Sequence, residues 1–333
     1  MRAFVLTRYG GPDSAELRDV PEPSPGPGEV QIAVRAAGLN PVDFKIREGK
    51  LRPVSPQVLP KVFGCELAGV VRSVGEGVTR FSPGDEVFTR VAKDRLGAFA
   101  ELACVHEDLV AKKPRTIDFV HAAAVPLAAL TALQALRDEL AVTKGTRVFI
   151  PGGAGGVGTF AIQIAKHLGA VVATTASSRG RALVERLGAD VFVDYTSQDF
   201  TKELRDQDAV FDLVGGDTLL SALSVLRRGG KVVSIAGAPE PTTATKDLRR
   251  GPGLAAVFWL LSARARFHAW RAGVSYRYLF MHPSGAELAE LAALVDEGKL
   301  EVVVDRVLPL AEIADAFAYL EQGRAKGKVV VTM

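Results

Sequence analysis

The sequence predicts an α/β protein: a doubly wound parallel sheet inserted into a smaller, β-rich domain. Three observations carry this. From about residue 121, six short apolar strands alternate with helical stretches, the pattern of parallel strands joined by helical crossovers. Before that, the first third is a string of β-branched runs broken by turn residues, which reads as an antiparallel, barrel-like domain. After MHPSG come only helix, strand, helix and strand. These are too few to bury a core of their own, so the chain is expected to return to the first domain.

Length and composition permit two cores. The chain has 333 residues, 48% of them hydrophobic, enough for two domains. A net charge of +3 is too small for a nucleic-acid footprint over the whole molecule. Two cysteines, Cys65 and Cys104, are too few for a disulfide framework and fit a reducing cytoplasm. The N-terminal MRAFVLTRYG passes straight into strand-like alternation without an export segment. No apolar run reaches the roughly 18 to 20 residues that span a bilayer.

In chain order, FVLT, EVQIAVRAAG, CELAGVVRSVG and GDEVFTRV are the first strands, with PEPSPGPGE and FSPGD as turns. The parallel strands follow as RVFIP, AVVATT, VFVDY, AVFDLVG, GKVVSIAG and YRYLFM. TFAIQIAKHLG and TLLSALSVLRRG are among the helices between them.

Between the first parallel strand and its helix lies PGGAGGVG, residues 151–158. Gly153, Gly155 and Gly158 spell GxGxxG, and the helix is expected to start near Gly156, with Val157 in its first turn. Such glycines serve a tight turn, close backbone approach to a pyrophosphate and close helix packing, while helix N-terminal amides face the phosphates. A dinucleotide site is expected. An NAD site would place Asp or Glu about 20 residues past the first glycine. This chain has ATTASSRGR there. Thr174, Thr175, Ser177 and Ser178 offer hydroxyls, and Arg179 and Arg181 offer cations for a 2′-phosphate. NADPH is therefore favoured over NADH, with Tyr195 able to reach the same corner.

These motifs, together with AAGLNPVDFK at 36–45, GCELAGVV at 64–71, GAFAEL at 97–102, AAAVPLAALTALQAL at 122–136, DLVGG at 212–216 and the terminal KGKVVV, resemble a known family nearly end to end. The chain resembles the medium-chain dehydrogenases/reductases, in their zinc-independent quinone oxidoreductase and enone reductase branch. The resemblance implies a Rossmann NADP-binding domain, 121–284, inserted in a GroES-like catalytic domain made of 1–120 and 285–333. It also implies a homodimer built through Rossmann-domain edges. Zinc-dependent relatives have a cysteine where this chain has Asn40 and a histidine where it has Cys65, and Glu66 alone matches their pattern. A catalytic zinc needs three protein ligands and an open position, so no metal is expected.

The resemblance further implies quinones or α,β-unsaturated carbonyls as substrates, reduced by NADPH. Asn40 and Asp43 match positions near nicotinamide and substrate, and Lys45 stands where it could stabilise an enolate or protonate the product. Thr131 and Lys328 match positions beside the cofactor, and Val214, Gly215, Ala236, Gly237 and Phe280 complete its expected contacts. The alternatives are an NADPH-binding scaffold or sensor with little turnover, and a zinc-free carbonyl reductase. One stretch, 245–275, is longer than in simple quinone reductases and mixes Phe258, Trp259 and Leu261 with arginines. It reads as an amphipathic helix covering the active-site cleft or the dimer seam. Contact with a membrane surface or an acidic partner through 249–272 is the reading set aside.

Overall fold

A computed structural model describes all 333 residues. Strands β1 (Arg2–Leu6), β2 (Ala15–Asp19) and β3 (Glu29–Leu39) are followed by helix α1 (Pro41–Arg47). Then come β4 (Lys61–Val62), β5 (Glu66–Val74), β6 (Glu86–Arg90), β7 (Leu102–His106) and β8 (Val110–Lys112). Helices α2 (Phe119–Ala123) and α3 (Pro126–Leu133) lead into β9 (Arg147–Pro151), α4 (Gly156–His167), β10 (Val171–Ala176), α5 (Arg181–Arg186) and β11 (Val191–Asp194). The alternation continues with α6 (Phe200–Glu203), β12 (Gln207–Asp212), α7 (Gly216–Ala222) and β13 (Leu226–Ser234). It closes with α8 (Pro252–Leu261), α9 (Ala263–Ala272) and β14 (Ser275–Tyr278). The chain ends with α10 (Gly285–Asp296), β15 (Val304–Pro309), α11 (Ile313–Glu321) and β16 (Lys328–Thr332).

The chain forms two compact units, 1–130 with 283–333, and 131–282. The first unit thus takes in α2 and the start of α3, whereas the sequence reading ended it at 120. The reason is local: α2 packs on β3 and β5, and the Leu127 amide is bonded to Glu66.

In the first unit β3 is the hub. It pairs antiparallel with β5, β7 and β16, so its backbone is satisfied on both edges and its side chains are buried nearly throughout. Register shifts at Gln31/Ile32 and Val34/Ala36 against β5 let so long a strand bend through the sheet. The returning C-terminal segment is bound twice. β16 lies on β3 with Val330 opposite Gly38, and α11 drops Phe317 onto three phenylalanines from the N-terminal part. Its ring stacks on Phe63 at 6.1 Å and Phe4 at 5.9 Å, and meets Phe99 edge-on at 5.9 Å. The Arg47 guanidinium sits 5.7 Å from the same ring and bonds Glu321 at 2.8 Å.

The second unit is a six-stranded sheet in the order β11-β10-β9-β12-β13-β14, parallel throughout. Its central strands bury Val148, Phe149, Ile150, Val210 and Phe211 completely, as strands covered on both faces require. Strand order reverses between β9 and β12, and ligands of such sheets sit at the carboxyl ends beside that reversal. The stretch expected as one amphipathic helix is two, α8 and α9, meeting at Ser262. The Ser262 hydroxyl donates to the Phe258 carbonyl at 2.7 Å, a back-bond that bends helices.

Phe317→Ala is expected to destabilise the first unit by about 3–5 kcal/mol, the usual loss for a buried phenylalanine. Urea unfolding followed by far-UV circular dichroism checks it; a loss below about 1 kcal/mol would show that α11 is not held by this contact.

Candidate functional site

In the first unit the ends of three elements converge on one buried charge cluster. Gly38, near the end of β3, is paired with Glu66 at the start of β5, and the adjoining Leu39 is paired with Val329 on β16. Glu66 and Lys328 are thereby brought to either side of the β3 end, where the chain turns at Asn40 into α1. Lys328 Nζ donates to Glu66 Oε1 at 2.7 Å, to the Leu39 carbonyl at 2.9 Å and to Asn40 Oδ1. Asn40 Nδ2 donates to Glu66 Oε1 at 2.6 Å. The other carboxylate oxygen, Oε2, accepts the Leu127 amide at 2.6 Å, an orphan donor in the first turn of α3 whose dipole favours a carboxylate. Gly38 makes the room. A Cβ there would stand 2.5 Å from Glu66 Oε1 and 2.6 Å from the Ala123 carbonyl.

This places Lys328 differently from the cofactor contact expected of it. It is buried, and all three of its protons are spent inside the cluster. Asp43 is likewise removed from any direct encounter with a ligand. It is fully buried, its Oδ2 accepting the Asn40 amide at 2.8 Å. Its Oδ1 has no hydrogen bond of good geometry, only the weak thiol donor of Cys65 beside it. Burial raises the Asp43 pKa to about 6. Burial also pushes the Cys65 thiol well above its ordinary value, so it stays protonated, and metals are held by the thiolate. No three His, Cys, Asp or Glu side chains converge as metal ligands. Lys45, on α1, is half-buried, and its pKa is lowered by that burial and then by Lys50.

In the second unit the turn from β9 into α4 has the form a pyrophosphate requires. Gly152, which the motif reading passed over, takes φ +85°, a conformation that favours glycine. A Cβ on Gly153 would lie 2.1 Å from Thr174 Oγ1, and one on Gly158 would lie 2.4 Å from the Gly152 carbonyl. A Cβ on Gly155 would meet only the Gly152 carbonyl, at 3.5 Å, so this is the open glycine. Gly155 caps α4 without a side chain, leaving the amides of Gly156, Val157 and Gly158 turned to whatever lies in front. The fit to a dinucleotide is good.

The expected 2′-phosphate corner sorts its candidates. Thr174 is withdrawn: its hydroxyl is buried and donates to the Ile150 carbonyl at 2.6 Å. Thr175 Oγ1 accepts the Gly152 amide at 3.1 Å and so shapes the glycine turn. Arg181 is turned along its own helix, bonding Glu185 at 2.8 Å and stacking on Phe192 at 5.4 Å. Ser177, Ser178 and Arg179 stay at the corner as the short turn after β10, and Tyr195 is exposed beside it. Sequence reading missed an acid here. Asp194, at the end of β11, lies below the usual carboxylate range because the Thr196 hydroxyl and amide bond it, and Ser178 bonds it too.

The remaining cofactor candidates are organised by a second residue that the reading overlooked. Asp212, fully buried at the end of β12, accepts the Val214 amide at 3.2 Å and the Gly215 amide at 2.9 Å. Its other oxygen takes the Ser234 hydroxyl at 2.6 Å. Ser234 Oγ in turn accepts the Ala236 and Gly237 amides at 3.1 and 2.7 Å. One carboxylate thus holds two loops at the carboxyl edge of the sheet, and burial raises its pKa. The signal was the Asp of DLVGG. Phe280 is half-buried, with its amide bonded to Asp247 at 3.0 Å, and Thr131 is buried in α3.

Lys328→Met is expected to destabilise the first unit by about 3–5 kcal/mol, since it strands the buried Glu66 carboxylate. Adding Glu66→Gln should recover at least about half of that loss. Equal losses in the single and double variants, measured by urea unfolding, would mean that the pair is not coupled.

Residues 26–115 match the family model described as alcohol dehydrogenase GroES-like domain, and residues 187–331 match that described as zinc-binding dehydrogenase. The chain is 38% identical to the Arabidopsis thaliana protein named NADPH-dependent alkenal/one oxidoreductase, chloroplastic, over 99% of this chain and 79% of that one. It is similar in structure to the quinone oxidoreductase of Coxiella burnetii, with a TM-score of 0.86 and 32% identity over 100% of this chain and 99% of that one. The Escherichia coli quinone oxidoreductase complexed with NADPH is similar over the whole of both chains, with a TM-score of 0.83 and 25% identity. Matches of this identity and extent mean that the chain belongs to the medium-chain dehydrogenase/reductase family, in its quinone and enone reductase branch.

Proposed function

We propose that this protein is an NADPH-dependent oxidoreductase that delivers hydride to quinones or to the C=C bond of α,β-unsaturated carbonyl compounds, and does so without zinc. The observation that carries the reading is the Glu66 cluster. Where a zinc enzyme gathers ligands, this chain has an amide, a protonated thiol and a carboxylate already neutralised by Lys328 at 2.7 Å. Carbonyl reduction concentrates charge on one oxygen and leans on a Lewis acid. A conjugated acceptor spreads it into an enolate that hydrogen-bond donors can stabilise.

When bound, NADPH would supply the hydride. The α4 amides and the glycine turn would hold its pyrophosphate, and Arg179 with Ser177 its 2′-phosphate. Asp212 fixes the Val214–Gly215 and Ala236–Gly237 loops that would line the cofactor. Asn40, buried and held by Glu66 and Lys328, fixes the turn into α1, and Asp43 secures the same turn. Lys45 protonates the product or steadies the enolate; its lowered pKa makes it a stronger acid than an ordinary lysine. The names of the relatives support this substrate class, since one is an alkenal/one oxidoreductase and two are quinone oxidoreductases. A homodimer through an edge of the parallel sheet is part of the proposal, supported by the unpaired edges of β11 and β14. A cytoplasmic site is supported by the two free cysteines.

NADPH oxidation should be driven readily by quinones or short enones, and at least about tenfold less well by saturated aldehydes and ketones, about 1.4 kcal/mol in barrier. With an enone, labelled hydride should reach the β-carbon and leave the carbonyl intact. An allylic alcohol as product would overturn the assignment, and NADPH that binds without being oxidised by any acceptor would favour a binding protein instead.

Arg179→Ala should raise the Kd for NADPH by about tenfold or more with little change for NADH, because a charge-assisted phosphate contact is worth about 1.5–3 kcal/mol. Arg181→Ala should change both far less, its guanidinium being held by Glu185. Equal weakening of the two cofactors by Arg179→Ala in a fluorescence titration would place the 2′-phosphate elsewhere.

A further inference from the structure

One surface stretch of one-signed charge coincides with a group of exposed apolar side chains. Between Asp247 and Glu287 the sequence holds Arg249, Arg250, Arg264, Arg266, Arg271 and Arg277 and neither Asp nor Glu. Arg277 turns inward against Glu139, Glu240 and Asp247, whereas the other five are exposed or half-exposed. The same helices, α8 and α9, present Val257, Trp259, Leu260, Leu261, Phe267 and Trp270 to water, with Leu260 68% and Trp270 76% exposed. These do not scatter singly. Val257, Leu260, Arg264, Phe267 and Arg271 recur at three and four residues, one stripe across the Ser262 bend. Trp259, Phe267 and Trp270 line a common groove of about 560 Å³ with Arg266, whose guanidinium stacks 5.2 Å from the Trp259 ring. An apolar patch of this kind, rimmed by charge of one sign, marks an interaction surface.

We propose that α8 and α9 seat this protein on a bilayer surface carrying anionic lipid. Leu260, Leu261, Phe267 and Trp270 enter the boundary between headgroups and acyl chains, and Arg249, Arg250, Arg264 and Arg271 meet headgroup phosphates. Charge selects the occupant. Five outward arginines with no carboxylate in the same segment, and only the exposed Asp217 near one of them, favour an anionic partner. A second copy seated on this face by a two-fold axis would set arginine against arginine, which is repulsive. Tryptophan, leucine and phenylalanine beside arginine are the side chains of helices lying in an interface. No helix is long and apolar enough to cross a membrane, so contact stays at the surface. The reading from sequence set this stretch over the cleft or the dimer seam; within the chain α8 and α9 bury chiefly Phe258, Ser262, Ala265 and Ala269. The proposal goes beyond the redox reading and does not depend on turnover.

The test is co-sedimentation of the full chain with vesicles of phosphatidylcholine, with and without phosphatidylglycerol. The protein should bind the anionic vesicles at least about tenfold more tightly, and less as salt rises. Leu260→Ser with Leu261→Ser, and separately Arg264→Glu with Arg271→Glu, should each weaken binding about tenfold or more. Both should keep the wild-type thermal transition, since all four side chains are exposed. No binding to anionic vesicles, or equal binding to both kinds, would overturn the proposal. So would a wild-type dimer that Trp270→Glu converts to monomer without any vesicle association, which would make the face a seat for a second copy. Binding that Arg264→Glu with Arg271→Glu abolishes and Leu260→Ser with Leu261→Ser leaves untouched would also overturn it, by reducing the contact to charge alone.

Discussion

The buried pair of Glu66 and Lys328 is the constraint on which the first unit turns. Two charges taken out of water lose hydration that their attraction restores only when every remaining proton and lone pair is matched. Here the matching is complete on the cation. Lys328 spends its three protons on Glu66, Leu39 and Asn40, and Glu66 is held in addition by the Asn40 amide and the Leu127 backbone. Those partners come from β3, β5, β16 and the start of α3. A single network therefore fixes the return of the C-terminal strand, the entry into α1 and the start of the helix that leads to the second unit. The same residues bear the chemical consequence, because a carboxylate neutralised by an ammonium at 2.7 Å has little left to offer a divalent cation.

What could be read from the sequence was mostly what short-range sterics dictate. GxGxxG is legible because each glycine answers a crowding present within a few residues of it, and the parallel strands are legible as apolar runs between helical stretches. The outcome for Arg181 was also within reach, since Glu185 stands four residues on, the spacing that brings helical side chains together. The Lys328 pairing was not. Its partner is 262 residues away, and nothing in KGKVVV distinguishes a lysine facing solvent from one facing a carboxylate. Thr174 failed for a related reason. Strand alternation gives the face of a side chain but not whether its hydroxyl finds the Ile150 carbonyl first. Asp194 escaped because the ribose rule looks along one strand, while this acid arrives from its neighbour.

Asp212 shows how the second unit solves a problem that open parallel sheets share. The loops beyond the strand ends must be irregular to leave room for a ligand, yet irregular backbone exposes amides that need acceptors. A carboxylate at the end of β12 takes two of them and, through Ser234, fixes two more from the next loop. Both loops inherit one geometry. A hydrophobic residue in its place would leave those amides unmatched at the edge of the core, so the acid is tolerated despite the burial that raises its pKa.

The treatment of cations gives these features a common logic. Two of the cations this chain draws inward are given carboxylates, one for Lys328 and three for Arg277. On α8 and α9 it does the opposite, since the one acid within reach of that segment's outward arginines, Asp217, lies 3.8 Å from Arg264 and is itself exposed. Surface arginines need no partner, because water solvates them and isolated exposed pairs contribute little. Exposed tryptophan and leucine have no such excuse, as each keeps apolar area in water at roughly 25 cal/mol per Å². The two together, on helices of which α9 packs on β14 and α8 on α9, make solvation of the arginines alone an incomplete account. A surface that offers both negative charge and an apolar interior accounts for both halves of the pattern at once.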